Sequence, residues 1–397
     1  WGTTDRLMRA AQEPRYAGRL VYDLAKHHLR FSPTLVESPL YDVFQRVLEG
    51  IEESLNALAS DRDDKIAYNR LLASGERLSA LVIAHGLSLR GLEAHPVGAE
   101  DIGLQLDGAG TAARVDIAGS RAKLDRSAFH GVPVVTGWFG EGTDGNIALL
   151  GRGGSDHTAT ALAALLQAQR VVLWKDVLGI YPVNPRWGVQ SSPIPYLGYG
   201  EAMEFANADA TILHPATVEP VYEMGIPIEI RHLTGYKQDG MKTVIGPDIE
   251  VEPAIKGIAC IPRVACVNAE VRYAQDAALA LSDLLQALNE AGIRICSFDT
   301  TNTQWRFVFR QHDVSKGVKI VQEHSSTVEY EYYAAMLSFI GCRDLDYLRS
   351  QLNDSNQADG PVYESVTSIH MLSNRVDISR MLDEMMSLVS QGKNHSA

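Results

Sequence analysis

The sequence predicts an α/β fold: a parallel-sheet sandwich with helices on both faces, followed by two smaller α+β modules. Three observations carry this prediction. A glycine-rich strand-turn-helix runs through residues 145–166. Strand-like and helix-like hydrophobic patterns alternate between residues 91 and 231, as expected of a parallel sheet covered on both sides. Beyond residue 253 the order strand, helix, strand, strand, helix appears, followed over residues 329–389 by a weaker copy that reads as a strand at 333–340, a helix at 344–352, a strand at 365–372 and a helix at 376–389.

The 397 residues suffice for two or three domains with sizeable cores. Hydrophobic residues at 45% and charged residues at 21% fit a soluble globular chain. The net charge of −13 argues against nucleic-acid partners and against an anionic membrane surface. An anionic substrate must therefore be drawn in by a local positive site. No apolar run approaches the about 18 residues of a membrane span, and the N-terminus lacks a signal-peptide core, so a cytoplasmic protein is expected. Cys260, Cys266, Cys296 and Cys342 all lie in the C-terminal part and form no CxxC, which predicts buried free thiols.

In chain order, residues 15–60 read as helices. Tyr41, Phe44, Val47, Leu48, Ile51, Leu55 and Leu58 recur at helical spacing and mark one buried face. Residues 61–64 are a charged connection. Residues 71–80 lead into a helix through Leu81, Val82, Ala84 and Leu87, with Glu76 at its start. Residues 114–117 read as a short strand, 118–127 as a helix, and 132–140 as a buried strand. Residues 171–177 are a hydrophobic strand with Trp174 and Val177 in the core. A helix follows at 199–206, then the last strand of the domain at 226–231, a polar exit loop at 235–247, and a boundary near Pro253.

The turn at Gly151-Arg152-Gly153-Gly154-Ser155-Asp156 is the chemical centre of the pattern. Glycines let backbone N–H groups approach a ligand that a Cβ would obstruct. Ser155 or Asp156 is placed to cap the helix that follows. A helix N-terminus attracts anions, and an arginine clamps a carboxylate or phosphate through two hydrogen bonds.

Leu150-Gly151-Arg152-Gly153-Gly154-Ser155-Asp156 resembles the signature of aspartate kinases, within the amino acid kinase superfamily. The similarity covers nearly all of residues 1–250 and, more faintly, the rest. It implies ATP-dependent phosphorylation of the L-aspartate β-carboxylate, with Mg²⁺ bridging the phosphate oxygens. By resemblance, Arg152 holds the aspartate carboxylate, Glu76 its ammonium group, and Thr4 (or Thr3) and Ser155 add hydrogen bonds. Asp156 makes an outer-shell metal contact. The hydrophobic strand ending at Lys175 resembles the nucleotide segment of the family. There Lys175 and Asp176 touch the adenosine or phosphates, Tyr181 packs near the base or ribose, and Arg186 reaches phosphate. Asn184-Pro185-Arg186 stands where many relatives have Asp-Pro-Arg. Thr211 takes the place of a lysine that faces the ATP phosphates in many bacterial members, and Lys175 is the candidate replacement for that charge. His214 is expected to be structural. The Lys-Phe-Gly-Gly strand of the family is not in the sequence, which leads us to expect an N-terminally incomplete copy.

The C-terminal repeats resemble tandem ACT domains, expected at residues 253–326 and 327–397. They imply an amino acid effector or a dimer contact, and a homo-oligomer. Residues 270–275 stand where relatives have a glycine-containing effector loop. Two alternatives remain open at this level. One is a catalytically impaired kinase-like subunit that senses an amino acid through the ACT pair. The other is an amino acid kinase acting on glutamate or acetylglutamate.

Overall fold

The computed structural model describes residues 2–13, 17–208, 213–234, 242–249, 255–272, 276–341, 346, 348, 360–364 and 368–391. The chain forms two compact units, Trp1–Val171 with Ala216–Ile226, and Val172–Pro215 with Pro227–Ala397.

The first unit opens with helices α1 (Thr3–Gln12), α2 (Ala17–Phe31), α3 (Tyr41–Ser60) and α4 (Lys65–Ser88). The helical spacing read from the sequence buries Phe44, Leu48, Ile51, Leu55 and Leu58, while Tyr41 and Val47 are only partly covered. Asp64 caps α4 by accepting a hydrogen bond from Ala67 N–H at 2.9 Å. The start of α1 lies against the middle of α4: a Cβ on Gly75 would stand 3.2 Å from both Leu7 Cδ1 and Thr3 Cγ2.

Strand β1 (Ala94–Val97) pairs in parallel with β2 (Val132–Val135), and helix α5 (Ile117–Lys123) lies between them in sequence. Asp116 caps α5, its Oδ1 accepting from Gly119 N–H at 2.9 Å. The strand expected at 114–117 is therefore not formed. That stretch makes one isolated bridge, Leu106 to Val115, with another just before it from Ala113 to Leu150, because the Asp116 cap starts a helix at Ile117. The strand expected at 132–140 is also broken. Trp138 has φ +72°, so β2 ends and a separate antiparallel hairpin begins, β3 (Phe139–Glu141) with β4 (Ile147–Leu149). Helix α6 (Gly154–Leu166) follows.

The second unit contains β5 (Val171–Lys175, save for Val171), β6 (Tyr196–Gly198) and α7 (Tyr199–Asn207). The chain then passes through α8 (Pro215–Tyr222), which belongs to the first unit save for Pro215, and continues with β7 (Ile228–His232) and β8 (Thr243–Gly246). These strands form a sheet in the order β5-β7-β8-β6, with β8 parallel to β6 and antiparallel to β7. The polar exit loop expected at 235–247 is thus wrong over its last part: β8 lies inside the sheet. The reason is Thr243, fully buried, whose Oγ1 accepts from Ile180 N–H at 2.9 Å and donates to Ile194 O at 2.7 Å. Trp174 is 47% exposed rather than core.

The C-terminal part is one six-stranded sheet. Its elements are β9 (Gly257–Val271), α9 (Ala277–Glu290), β10 (Ile295–Thr300), β11 (Gln304–Arg310), α10 (Val314–His324), β12 (Ser325–Ile340), β13 (Val362–Glu364), β14 (Ser368–Ser373) and α11 (Ile378–Gln391). The order β10-β11-β9-β12-β14-β13 contains two halves that share their long central strands: β9, α9, β10, β11 and α10 in one, and β12, β13, β14 and α11 among the described residues of the other. The second part of β9 and first part of β12 pair beside β11, with Ala269 opposite Val328. The first part of β9 and second part of β12 pair beside β14, with Cys260 opposite Leu337. The expected boundary at 326/327 therefore falls inside β12. Each half has its own core. One gathers Val267, Leu284, Trp305, Phe307 and Val321; the other gathers Ile258, Leu337, Met371, Met381 and Met385. Val183 and Val189 belong to this second core, which is why the compact units do not part at Pro253. Cys260 and Cys266 are buried free thiols, Cys296 is partly buried, and burial pushes the Cys260 thiol up to about 12. Cys342, residues 273–275 and most of the helix expected at 344–352 lie outside the described residues.

Leu337 is fully buried in the core of the second half. Leu337→Ala should lower the unfolding free energy by about 2–5 kcal/mol, read from denaturant midpoints at unchanged slope.

Candidate functional site

In the first unit the site is built around the start of α6. The N-cap is Gly153, in the left-handed conformation at φ +71°, and no side chain caps the helix. Ser155 and Asp156, expected to cap, instead lie within the first turn. Gly154 N–H donates to Gly151 O at 3.2 Å and His157 N–H to Gly153 O at 2.9 Å. The Ser155 amide belongs to the first turn and has no intrahelical acceptor, so it is available to a ligand. Arg152 is exposed in the turn, and its guanidinium makes no ion pair or hydrogen bond among the described residues. A free cation beside an open helix N-terminus suits a carboxylate or phosphate.

The hairpin holds this turn in place. Leu150 N–H donates to Trp138 O at 2.8 Å, Trp138 N–H to Thr158 Oγ1 at 3.0 Å, and Thr158 Oγ1 to Gly154 O at 2.9 Å. A Cβ on Gly154 would lie 2.5 Å from Trp138 Cδ1 and 2.7 Å from Leu150 Cβ, and one on Gly137 would meet Ser155 at 3.1 Å. Glycine at 137 and 154 is therefore a packing requirement. Trp138, with its positive φ, is the positioning residue that sequence reading missed. Nothing in a single sequence marks a tryptophan for the left-handed region.

Glu76 lies in the middle of α4, not at a helix start. It is one residue from Gly75, against which Thr3 and Leu7 pack, so α1 and the Glu76 turn are neighbours. Thr4 is in the first turn of α1 and partly buried. Asn69 Nδ2 donates to Ile147 O at 2.9 Å, tying α4 to β4. The structure thus gathers the elements of Thr4, Glu76, Arg152, Ser155 and Asp156 into one unit. Burial raises the Glu76 pKa, and among the described residues its carboxylate has no hydrogen-bond or ionic partner. A half-buried carboxylate without a cation is a receptor for one.

In the second unit, Lys175 ends β5 and its carbonyl accepts from Leu233 N–H at 2.9 Å. Asp176 is exposed in the following bend, and Tyr181 is partly buried. Asn184 caps a short 3₁₀ turn (Pro185–Trp187), accepting from Arg186 N–H at 3.1 Å. Asparagine thus keeps the capping role open to aspartate at this position. Arg186 is exposed, with its guanidinium 5.1 Å from the Trp187 ring centroid. Thr211 lies outside the described residues. Among the described residues no three His, Cys, Asp or Glu side chains cluster to hold a metal ion. Asp156, in the first turn of α6, and the exposed Asp176 are carboxylates that would suit a Mg²⁺ ion carried mainly by nucleotide phosphates and water. No described helix is long and apolar enough to cross a membrane.

The fold defines an α/β protein whose first unit presents an open helix N-terminus. Residues 3–232 match the amino acid kinase family model. The chain is 29% identical to the aspartokinase of Geobacillus stearothermophilus, over 71% of this chain and 70% of that protein. It is 32% identical to aspartokinase 1, chloroplastic, of Arabidopsis thaliana, over 54% of this chain and 38% of the relative. Its fold matches E. coli aspartokinase III in complex with aspartate and ADP, with a TM-score of 0.77 at 21% identity, covering 98% of this chain and 91% of the other. The chain belongs to the amino acid kinase family.

Glu76 has a raised pKa in the folded chain, so its charge costs stability above that range and nothing below the unfolded value. Glu76→Gln should therefore melt higher than wild type at pH 7.5 in the absence of ligand, with the difference shrinking toward pH 4. A variant that melts lower than wild type at both pH values would show that the carboxylate is already paired.

Proposed function

We propose that this chain is an aspartate kinase, transferring the γ-phosphoryl group of ATP to the β-carboxylate of L-aspartate to give 4-phospho-L-aspartate and ADP. The observation that carries the reading is the pair of uncompensated charges in the first unit. Among the described residues, Arg152 is a cation without an ionic partner beside an open helix N-terminus, and Glu76 is a half-buried anion without one. Together they match the α-carboxylate and α-ammonium of an amino acid. The aspartokinase relatives agree with this chemistry.

Arg152 clamps the α-carboxylate, the Ser155 amide adds a donor, Glu76 accepts from the ammonium group, and Thr4 completes the cradle. The β-carboxylate is the nucleophile. It is ionised at neutral pH and needs no general base, so His214 has no proton to remove. Its oxygen attacks the γ-phosphorus in line, the bond to the β,γ-bridging oxygen breaks, and ADP leaves with that electron pair. Such a transfer depends on positioning and charge neutralisation rather than covalent help from the protein. Lys175, Asp176, Tyr181, Arg186 and Thr211 are assigned to the nucleotide. Bound Mg²⁺ would neutralise phosphate charge, with Asp156 as its outer-shell partner. In the same reading the catalytic module covers residues 1–250. The C-terminal sheet serves an amino acid effector or a dimer contact, and the working form is a cytoplasmic homo-oligomer.

Acyl phosphate formed from ATP, Mg²⁺ and L-aspartate, trapped with hydroxylamine, tests the reading. Arg152→Ala should lower kcat/KM for aspartate about a hundredfold, the value of two charge-assisted hydrogen bonds, while the KM for ATP changes less than about twofold. Turnover of glutamate or acetylglutamate in preference to aspartate would overturn the substrate assignment.

A further inference from the structure

The nucleotide segment is carried by the C-terminal sheet as well as by its own. Ile258 N–H, at the start of β9, donates to Pro182 O at 2.7 Å. This bond lies one residue from Tyr181 and four from Arg186. Gly257 permits it: a Cβ there would stand 2.3 Å from Pro182 O, 2.6 Å from Pro182 Cα and 2.8 Å from Phe205 Cζ of α7. Beyond the bond, Val183 is fully buried and Val189 nearly so in the core of the second half of the C-terminal sheet, among Ile258, Cys260, Met381 and Met385. Trp187, on which Arg186 stacks, packs against the same core. The loop from Tyr181 to Val189 is thus pinned at one point by a backbone bond and at two by buried valines. The backbone bond comes from β9, and the core around the valines is built from β9, β12, β14 and α11, all far along the chain.

We infer that Gly257 and the methionine floor of α11, Met381 and Met385, are positioning residues for the nucleotide. They act through the 181–189 segment and touch neither ATP nor aspartate. The segment has only one short 3₁₀ turn of its own, so its hold on Tyr181 and Arg186 is set by what lies beneath it. A shift of β9 against α11 changes the nucleotide site while leaving the residues assigned to aspartate, all in the other unit, unaltered. The inference rests on the assignment of Lys175 and Arg186 to the nucleotide.

The test uses the full chain and Mg·ADP as probe, with binding followed by calorimetry and by tryptophan fluorescence, together with the KM values for ATP and aspartate. Gly257→Ala should weaken ADP binding and raise the KM for ATP about tenfold, with the KM for aspartate unchanged. Met385→Ala should act in the same direction and Met385→Leu should restore binding, which also decides the matter if Gly257→Ala fails to fold. Arg186→Ala and Lys175→Ala are the controls. If these controls weaken ADP while Gly257→Ala and Met385→Ala bind it as wild type does, the positioning role is overturned and the nucleotide assignment stands. If neither control changes ADP affinity, the assignment itself fails and the positioning role falls with it. Parallel rises in both KM values would mean general damage and would also overturn it.

Discussion

The first unit depends on one close approach, that of Gly154 to Trp138 and Leu150. With no Cβ at 154, the hairpin of β3 and β4 can rest directly on the first turn of α6. Trp138 must then adopt φ +72°, a conformation that costs a non-glycine residue about 1–3 kcal/mol and persists only where its surroundings enforce it. The enforcement is visible: the Trp138 amide and carbonyl are both used, by Thr158 and Leu150. The outcome is a helix N-terminus that is rigid, uncapped by any side chain, and flanked by an exposed arginine. A capping serine at 153 would satisfy the helix and close the site.

The electrostatics follow the same logic at longer range. A chain of net charge −13 repels an acidic amino acid at a distance. Attraction must come from charges that the protein has not already neutralised. Arg77, one residue from Glu76, is paired with Glu100 and lies over the Phe139 ring, so it is consumed by the fold. Arg152 and Glu76 have no such partner among the described residues. The distinction between a structural and a ligand-facing ion lies in this difference of pairing, which residue type alone does not reveal.

The shared strands of the C-terminal sheet impose a different constraint. Neither half of the sheet is complete alone, because each borrows part of a strand from the other's central element. Val183 and Val189, from the loop after β5, complete one of the two cores. Sheet, loop and α11 therefore stabilise one another as a single cooperative body, and cutting the chain near Pro253 would expose apolar surface on both pieces.

The sequence by itself determined the alternation of strands and helices, the buried face of α3, the glycine-arginine turn before α6, and the twofold repeat beyond residue 253. These are local periodicities, and short-range sterics and burial are enough to set them. It did not determine the break at Trp138, the uncapped α6, the place of Glu76 in the middle of a 24-residue helix, or the inclusion of Thr243–Gly246 in the sheet. Each of these turned on a partner distant in the chain: Thr158 for Trp138, α1 against Gly75 beside Glu76, and Ile180 with Ile194 for Thr243. The exchange of strand halves between β9 and β12 is of the same kind. Only tertiary structure decides which of two equally hydrophobic strand segments fills a given place, because pairing energy depends on the neighbour as much as on the strand.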